Sequence, residues 1–362
     1  MNILNIEVII KVKSNRIHSL NSIFKMATFS QSTVDKGSDS FTDFCCSPCK
    51  EHNFDQWAEF YCTNCQKCYC AKCINLHSQL FGKHVTYGRG DTSKWPVFID
   101  VFTVKGYDVG IASDSSSCHI TAVCVLSHDQ ILVADNANEC VKLLDLQYQV
   151  VGHCDLYTHP RDMCLITPSE VAVTVNKDKT HEVQFVSVNV GQLVKGMKLQ
   201  FQHECYGIAH DQKDLYLTTG TALYKYSMSG DLLNKLYEKT SGKHSVLKCA
   251  VSPTGDKIFV TNGDHHKVLT LARDGTVLFT FTDPDLKWPC GIHVTAQGQV
   301  LVCGGTSNNL MQLDGEGRKK LATLATNRDG LSDPKSVFYI RSTASIIMGQ
   351  YASGKILVFK VQ

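Results

Sequence analysis

The stretch from Cys45 to His84 limits what this chain can become more than any other. It runs Cys45-Cys46-Ser47-Pro48-Cys49, then Tyr61-Cys62-Thr63-Asn64-Cys65, then Cys70-Ala71-Lys72-Cys73, and closes with His77 and His84. The pairs Cys46/Cys49, Cys62/Cys65 and Cys70/Cys73, with His77 and His84, supply eight ligands, enough for two tetrahedral zinc ions. A two-residue gap lets both sulfurs of a tight turn reach one metal. So short a segment cannot bury enough apolar surface to fold alone, and metal binding would supply its folding free energy. Cys45 and Cys68 are then spare thiols. A disulfide framework or scattered buried cysteines would not leave paired spacings followed by histidines.

The order of the ligands matters as well. Neighbouring pairs are too close for each couple to build its own site, and a cross-braced arrangement removes the difficulty. The first and third pairs then bind one ion, and the second pair and the histidines bind the other. These residues resemble a B-box, the small zinc domain of the tripartite-motif family. The likeness rests on Glu59-Phe60-Tyr61-Cys62, on Cys70-x-x-Cys73 and on the ending His77…Gly82-Lys83-His84, and it covers about forty residues. Two first pairs fit it. Cys46/Cys49, as in the first B-box type, leaves twelve residues before Cys62, and Cys49/His52, as in the second, leaves nine. Cys46/Cys49 is preferred, with His52 as the rival ligand.

The chain has 362 residues, 43% hydrophobic and 19% charged, enough for one small and one large domain. A formal net charge of +2 gives no global sign of a nucleic-acid or membrane-surface protein. Of 17 cysteines, nine lie beyond Cys73, several inside apolar runs where they read as small buried residues. With no Asn-x-Ser/Thr site, these thiols point to a reducing, cytoplasmic setting. No apolar run is long enough to cross a membrane. The opening run Met1–Ile10 is broken by Asn5 and Glu7 and is followed, not preceded, by basic residues, so it does not read as a secretory signal. Met26-Ala27-Thr28 looks a more natural start than Met1, which makes residues 1–25 an upstream extension. Residues 1–43 read as a disordered leader, 44–88 as the zinc domain and 89–97 as a linker.

From residue 98 to 362 the chain is strand-rich and repetitive. Apolar strands recur at anchors Ile131, Val171, Leu215, Ile258, Val300 and Ile346, spaced 40 to 46 residues apart. That period, with four short strands per unit, predicts an all-β fold, a six-bladed β-propeller. The sixth unit runs out after its third strand, Lys355–Val361. Residues 98–104 have no unit of their own and are expected to supply the missing outer strand, closing the ring. The layout resembles the NHL-type propellers of some tripartite-motif proteins.

The loops expected on one face include 135–138, 177–181, 262–266 and 307–309, joined by His159-Pro160-Arg161, Tyr206 and Lys287-Trp288-Pro289. Such side chains on a rigid face suit a protein partner. Asp135, Asn262 and Asn308 are the candidates for a metal-dependent hydrolase site. No repeated carboxylate supports them, and no catalytic motif appears. RNA binding is a further alternative, and the Arg318-Lys319-Lys320 cluster is expected on an outer strand, away from that face. The family resemblance implies a link to ubiquitin ligases. No cysteine precedes Cys45 to form a RING, and no heptad run fits between His84 and Val97. The expectation is therefore a non-catalytic adaptor, possessing a zinc domain able to associate with other B-box proteins.

Overall fold

The computed structural model describes residues 46–52, 56, 58–65, 67–88, 99, 101–351 and 353–361. The leader 1–43, Cys45 and the linker 89–97 lie outside the described residues. The cysteine-rich segment builds a three-stranded sheet in the order Lys67–Tyr69, Phe60–Cys62, Thr86–Gly88. A helix Ala71–Leu80 and a short helix Ser47–Glu51 accompany it. Its apolar core is small, with Tyr69 and Ile74 packed around Cys62.

The rest is a six-bladed β-propeller, six antiparallel sheets of four strands each. The inner strands are Ile120–Val125, His159–Thr167, Ile208–His210, Cys249–Val251, Pro289–Val294 and Pro334–Ile340. All six sequence anchors fall on second strands: Ile131–Asp135, Glu170–Lys177, Leu215–Thr218, Lys257–Asn262, Val300–Gly304 and Ser345–Gln350. Four of these six are buried at every residue. A blade has a neighbour on each face, so both sides of its middle strands must be apolar and period-two alternation disappears. The outer strands regain it, as in Val150–Asp155.

Apolar packing is divided into six clusters, one for each junction between blades. Alternate residues of one strand serve opposite junctions. Leu132 and Ala134 pack toward blade two, while Ile131 and Val133 pack toward blade six. Side-chain hydrogen bonds tie the same junctions near the axis. Thr174, Thr218 and Thr261 occupy the same place in consecutive second strands, three residues after the anchor. Each hydroxyl accepts an N–H from its own inner strand and donates to a carbonyl of the next blade. For Thr218 these partners are Gly207 at 2.7 Å and the Leu247 carbonyl at 2.6 Å. Thr174 links Asp162 to the Tyr206 carbonyl, and Thr261 links Lys248 to the Cys290 carbonyl. In blade one Thr121 donates to the Pro160 carbonyl, and in blade five the Cys290 thiol donates to the Pro334 carbonyl. At the last junction the blades approach without such a bond. A Cβ on Gly349 would run into Ser336 Oγ and the Ile120 carbonyl, so only glycine fits there.

The ring closes by pairing Lys355–Val361 with Val101–Asp108, from Lys355 opposite Asp108 to Val361 opposite Val101. The strand therefore sits further along the chain than residues 98–104. Phe102 and Val104 belong to both the expected and the observed strand and face solvent there, at 56% and 41% exposure. Tyr107 fixes the register instead, packing on Tyr148 with ring centroids 4.5 Å apart.

Two outcomes follow from this architecture. Deleting residues 1–90 should leave a cooperative propeller, whereas deleting through Asp108 should expose the Lys355–Val361 edge and cause aggregation or a much lower Tm in thermal scans. Thr218→Val keeps the side-chain shape but leaves Gly207 N–H and the Leu247 carbonyl unmatched. Denaturant unfolding should show a loss of roughly 1–3 kcal/mol.

Candidate functional site

Two groups of ligand atoms assemble in the small domain. Cys46 and Cys49 meet Cys70 and Cys73, and Cys62 and Cys65 meet His77 and His84. Cys49 Sγ lies 3.7 Å from Cys73 Sγ and 4.0 Å from Cys70 Sγ. In the second group Cys65 Sγ is 3.1 Å from His77 Nε2 and 3.2 Å from His84 Nδ1, and Cys62 Sγ is 3.8 Å from that same nitrogen. Thiolates about 2.3 Å from a tetrahedral metal stand about 3.8 Å apart, so these spacings fit an ion in each group. The helix Ala71–Leu80 braces the two groups together, because its Cys73 serves the first and its His77 the second.

The electrostatics also call for a cation. Burial pushes the Cys73 thiol up, and Cys46, Cys49 and Cys70 beside it push it further. Four neighbouring thiols cannot all ionise without a positive charge among them. The Cys65 amide donates to Cys62 Sγ at 3.4 Å. His52 is exposed and belongs to neither group; its amide donates to the Cys49 carbonyl. Cys68 packs with Ala58 and Tyr61 in a small core.

Asp114, Cys118 and Asp135 form a third such group in blade one. The Lys142 ammonium fills it, 2.6 Å from Asp114 Oδ2, 2.8 Å from Asp135 Oδ2 and 3.3 Å from Cys118 Sγ. The group is an internal ion pair, not a vacancy for a metal. Burial pushes the Asp135 carboxyl up, but Asn138, Lys142 and the His119 amide together hold it below its ordinary value. Asn262 accepts from the His265 amide and Asn308 from the Asp333 amide. The three residues considered for a hydrolase thus hold loop backbone, Asp135 and Asn262 within their own blades and Asn308 against the loop entering the next.

The second site lies on the propeller axis. A cavity of about 270 Å³ opens there, and every blade contributes to its wall. His119, Arg161, Tyr206, His244, Trp288 and Lys335 stand at or beside the start of successive inner strands. Loop side chains clamp these starts: Asp135 Oδ1 accepts the His119 amide at 3.0 Å, and Asp264 Oδ2 accepts the His244 amide at 2.7 Å. The rings touch in sequence. Arg161 lies over Tyr206, Tyr206 meets His244 edge-on, and His244 meets Trp288 at 5.4 Å between centroids. On the opposite arc Lys335 lies over Tyr351, whose ring is 4.0 Å from that of His119.

Trp288 is held with φ at 54°, a strained conformation for a bulky residue. Its amide donates to His266 Nδ1, and Gly263 leaves room for the indole. Below, Lys248 Nζ donates to Asp162 Oδ1 at 2.9 Å and to the Thr121 carbonyl at 2.6 Å. This pair separates the mouth from a deeper cavity along the axis lined by all six inner strands, including Cys124, Cys164 and Cys249.

Arg161, Tyr206 and Trp288 were legible as loop candidates. His119, His244, Lys335, Tyr351 and the Lys248–Asp162 pair were not; all but Tyr351, which follows the second strand Ser345–Gln350, lie before or within an inner strand, and that place was the available signal. The basic cluster ends far from the mouth on the outer hairpin, where Arg318 lies over Phe279 and Lys320 pairs with Asp283.

No protein-family model matches the chain, and no curated protein matches it by sequence. Solved structures do resemble it. A catalytically inactive virginiamycin B lyase from Staphylococcus aureus, determined with quinupristin, superposes with a TM-score of 0.51 at 11% identity, covering 71% of this chain and 99% of that one. A protein of unknown function from Bacteroides thetaiotaomicron gives a TM-score of 0.56 at 14% identity, covering 78% and 80%. At these identities the likeness is one of fold, a β-propeller.

Elemental analysis of the purified protein should find two metal ions per chain. Cys46→Ala and Cys62→Ala should each lower that count, whereas His52→Ala should leave it unchanged.

Proposed function

We propose that this chain is a zinc-binding protein-interaction adaptor. Its small domain is a B-box of the tripartite-motif kind, and both metal groups take zinc, which favours thiolate and imidazole in tetrahedral sites. The propeller is of the NHL type, and its mouth holds a protein partner. The observation that carries this reading is the mouth itself, ringed by aromatic and basic side chains above the Lys248–Asp162 pair. Such a surface suits recognition, because aromatic and arginine side chains dominate protein-binding patches, and its histidines His119 and His244 are packed against the Tyr351 and Trp288 rings.

The small domain acts as a docking module. Leu76, Leu80, Phe81 and Val85 leave an apolar surface in solvent there, which suits association with another B-box protein. In ubiquitin-ligase assemblies the chain would present or regulate a substrate. None of the sixteen described cysteines forms a disulfide, in keeping with a cytoplasmic setting. No described helix is long and apolar enough to cross a membrane. RNA is the second reading, because aromatic and cationic side chains together also suit stacked bases.

The test is a pull-down with the full chain, read by mass spectrometry. A specific protein should be captured and then lost from a Tyr206→Ala, Trp288→Ala variant whose zinc content is unchanged. Ubiquitin transfer should be absent with a panel of conjugating enzymes, and chain formation by the purified protein alone would contradict the adaptor reading.

A further inference from the structure

The charge around the mouth is unevenly satisfied. Lys335 pairs with Asp333 at 2.6 Å, Lys177 pairs with Glu139 at 2.9 Å, and His244 faces Asp264. Arg161 has no carboxylate partner among the described residues; its guanidinium lies exposed over the Tyr206 ring, 5.9 Å from the centroid. Glu204, the nearby acid, sits beside the Tyr206 hydroxyl and helps to push that phenol up after burial has done so. On the floor, Lys248 has committed two of its three N–H donors, to Asp162 and to the Thr121 carbonyl. The mouth therefore offers one unpaired guanidinium at the rim and one spare ammonium N–H below.

The shape narrows the choice of anion. The Lys248–Asp162 pair closes the pit, so a chain crossing the face would have to enter and double back. A chain end can enter directly. The walls add Trp288, Tyr206 and Leu247, which suit an apolar or aromatic side chain. A nucleic-acid strand needs cations spaced along a groove, but Glu139, Asp264 and Asp333 neutralise the loops around the pit.

We propose that the propeller mouth captures the free carboxyl terminus of a partner polypeptide, its carboxylate held by Arg161 and Lys248 and its last side chain packed on Trp288. This rests on the reading of the mouth as a protein-binding site. Arginine presents a planar fork that pairs with both carboxylate oxygens.

The experiment incubates the full-length protein with three immobilised pools: random-sequence peptides with free carboxyl termini, the same peptides amidated, and single-stranded RNA. Retention of the free-acid pool well above the other two is expected. Peptides recovered from it should bind Arg161→Ala roughly tenfold to a hundredfold more weakly, with the thermal melt unchanged. Equal retention of free and amidated peptides would overturn terminal capture while leaving the mouth a protein site. Retention of RNA alone, or of no pool, would overturn both.

Discussion

The propeller depends on a hydrogen bond that no single blade can make for itself. A threonine hydroxyl at the axial end of a second strand takes an N–H from its own sheet and gives its proton to the neighbouring one. Thr174, Thr218 and Thr261 repeat this across three junctions. The apolar clusters between blades are non-directional and would tolerate some sliding. The hydroxyl contacts set the height of each inner strand against the next. The carbonyls they reach belong to Pro160, Tyr206, Leu247 and Cys290, which adjoin or belong to the residues of the mouth. One device therefore holds the ring and aligns its binding surface.

The two domains solve the problem of folding differently. The propeller has enough chain to bury both faces of its middle strands. Among the described residues the small domain buries only two small clusters, Cys62 with Tyr69 and Ile74 and Cys68 with Ala58 and Tyr61, and its thiols crowd one another. Its two groups of ligand atoms could hold metal ions, whose bonds would add the stability that buried area does not supply. Lys142 illustrates the contrast: in the propeller a comparable cluster of acids and a thiol is satisfied by the chain's own ammonium.

Much of this was readable before any coordinates. The ligand spacing placed Cys46, Cys49, Cys70 and Cys73 in one group and Cys62, Cys65, His77 and His84 in the other, and the anchors at 40- to 46-residue intervals found every second strand. Those signals are local or periodic. The closing strand was assigned the right partner but placed three to four residues early, because the observed strand runs on through Lys105, Gly106 and Asp108, which no apolar run marks. The mouth was only half visible. His119 and His244 carry no repeating motif, and their meeting depends on six separate loops converging. The Lys248–Asp162 pair joins residues 86 positions apart, which no spacing rule reports.

The seam between Val101–Asp108 and Lys355–Val361 also governs when the molecule can be finished. During synthesis the ribosome releases the first of these strands long before its partner exists. The small domain and the early blades can fold as they emerge, but the ring stays open until the sixth blade has been made. Through that interval the nascent chain carries an unpaired sheet edge and one uncovered blade face. Translation speed and chaperone cover over the last blade therefore act on the whole propeller at once.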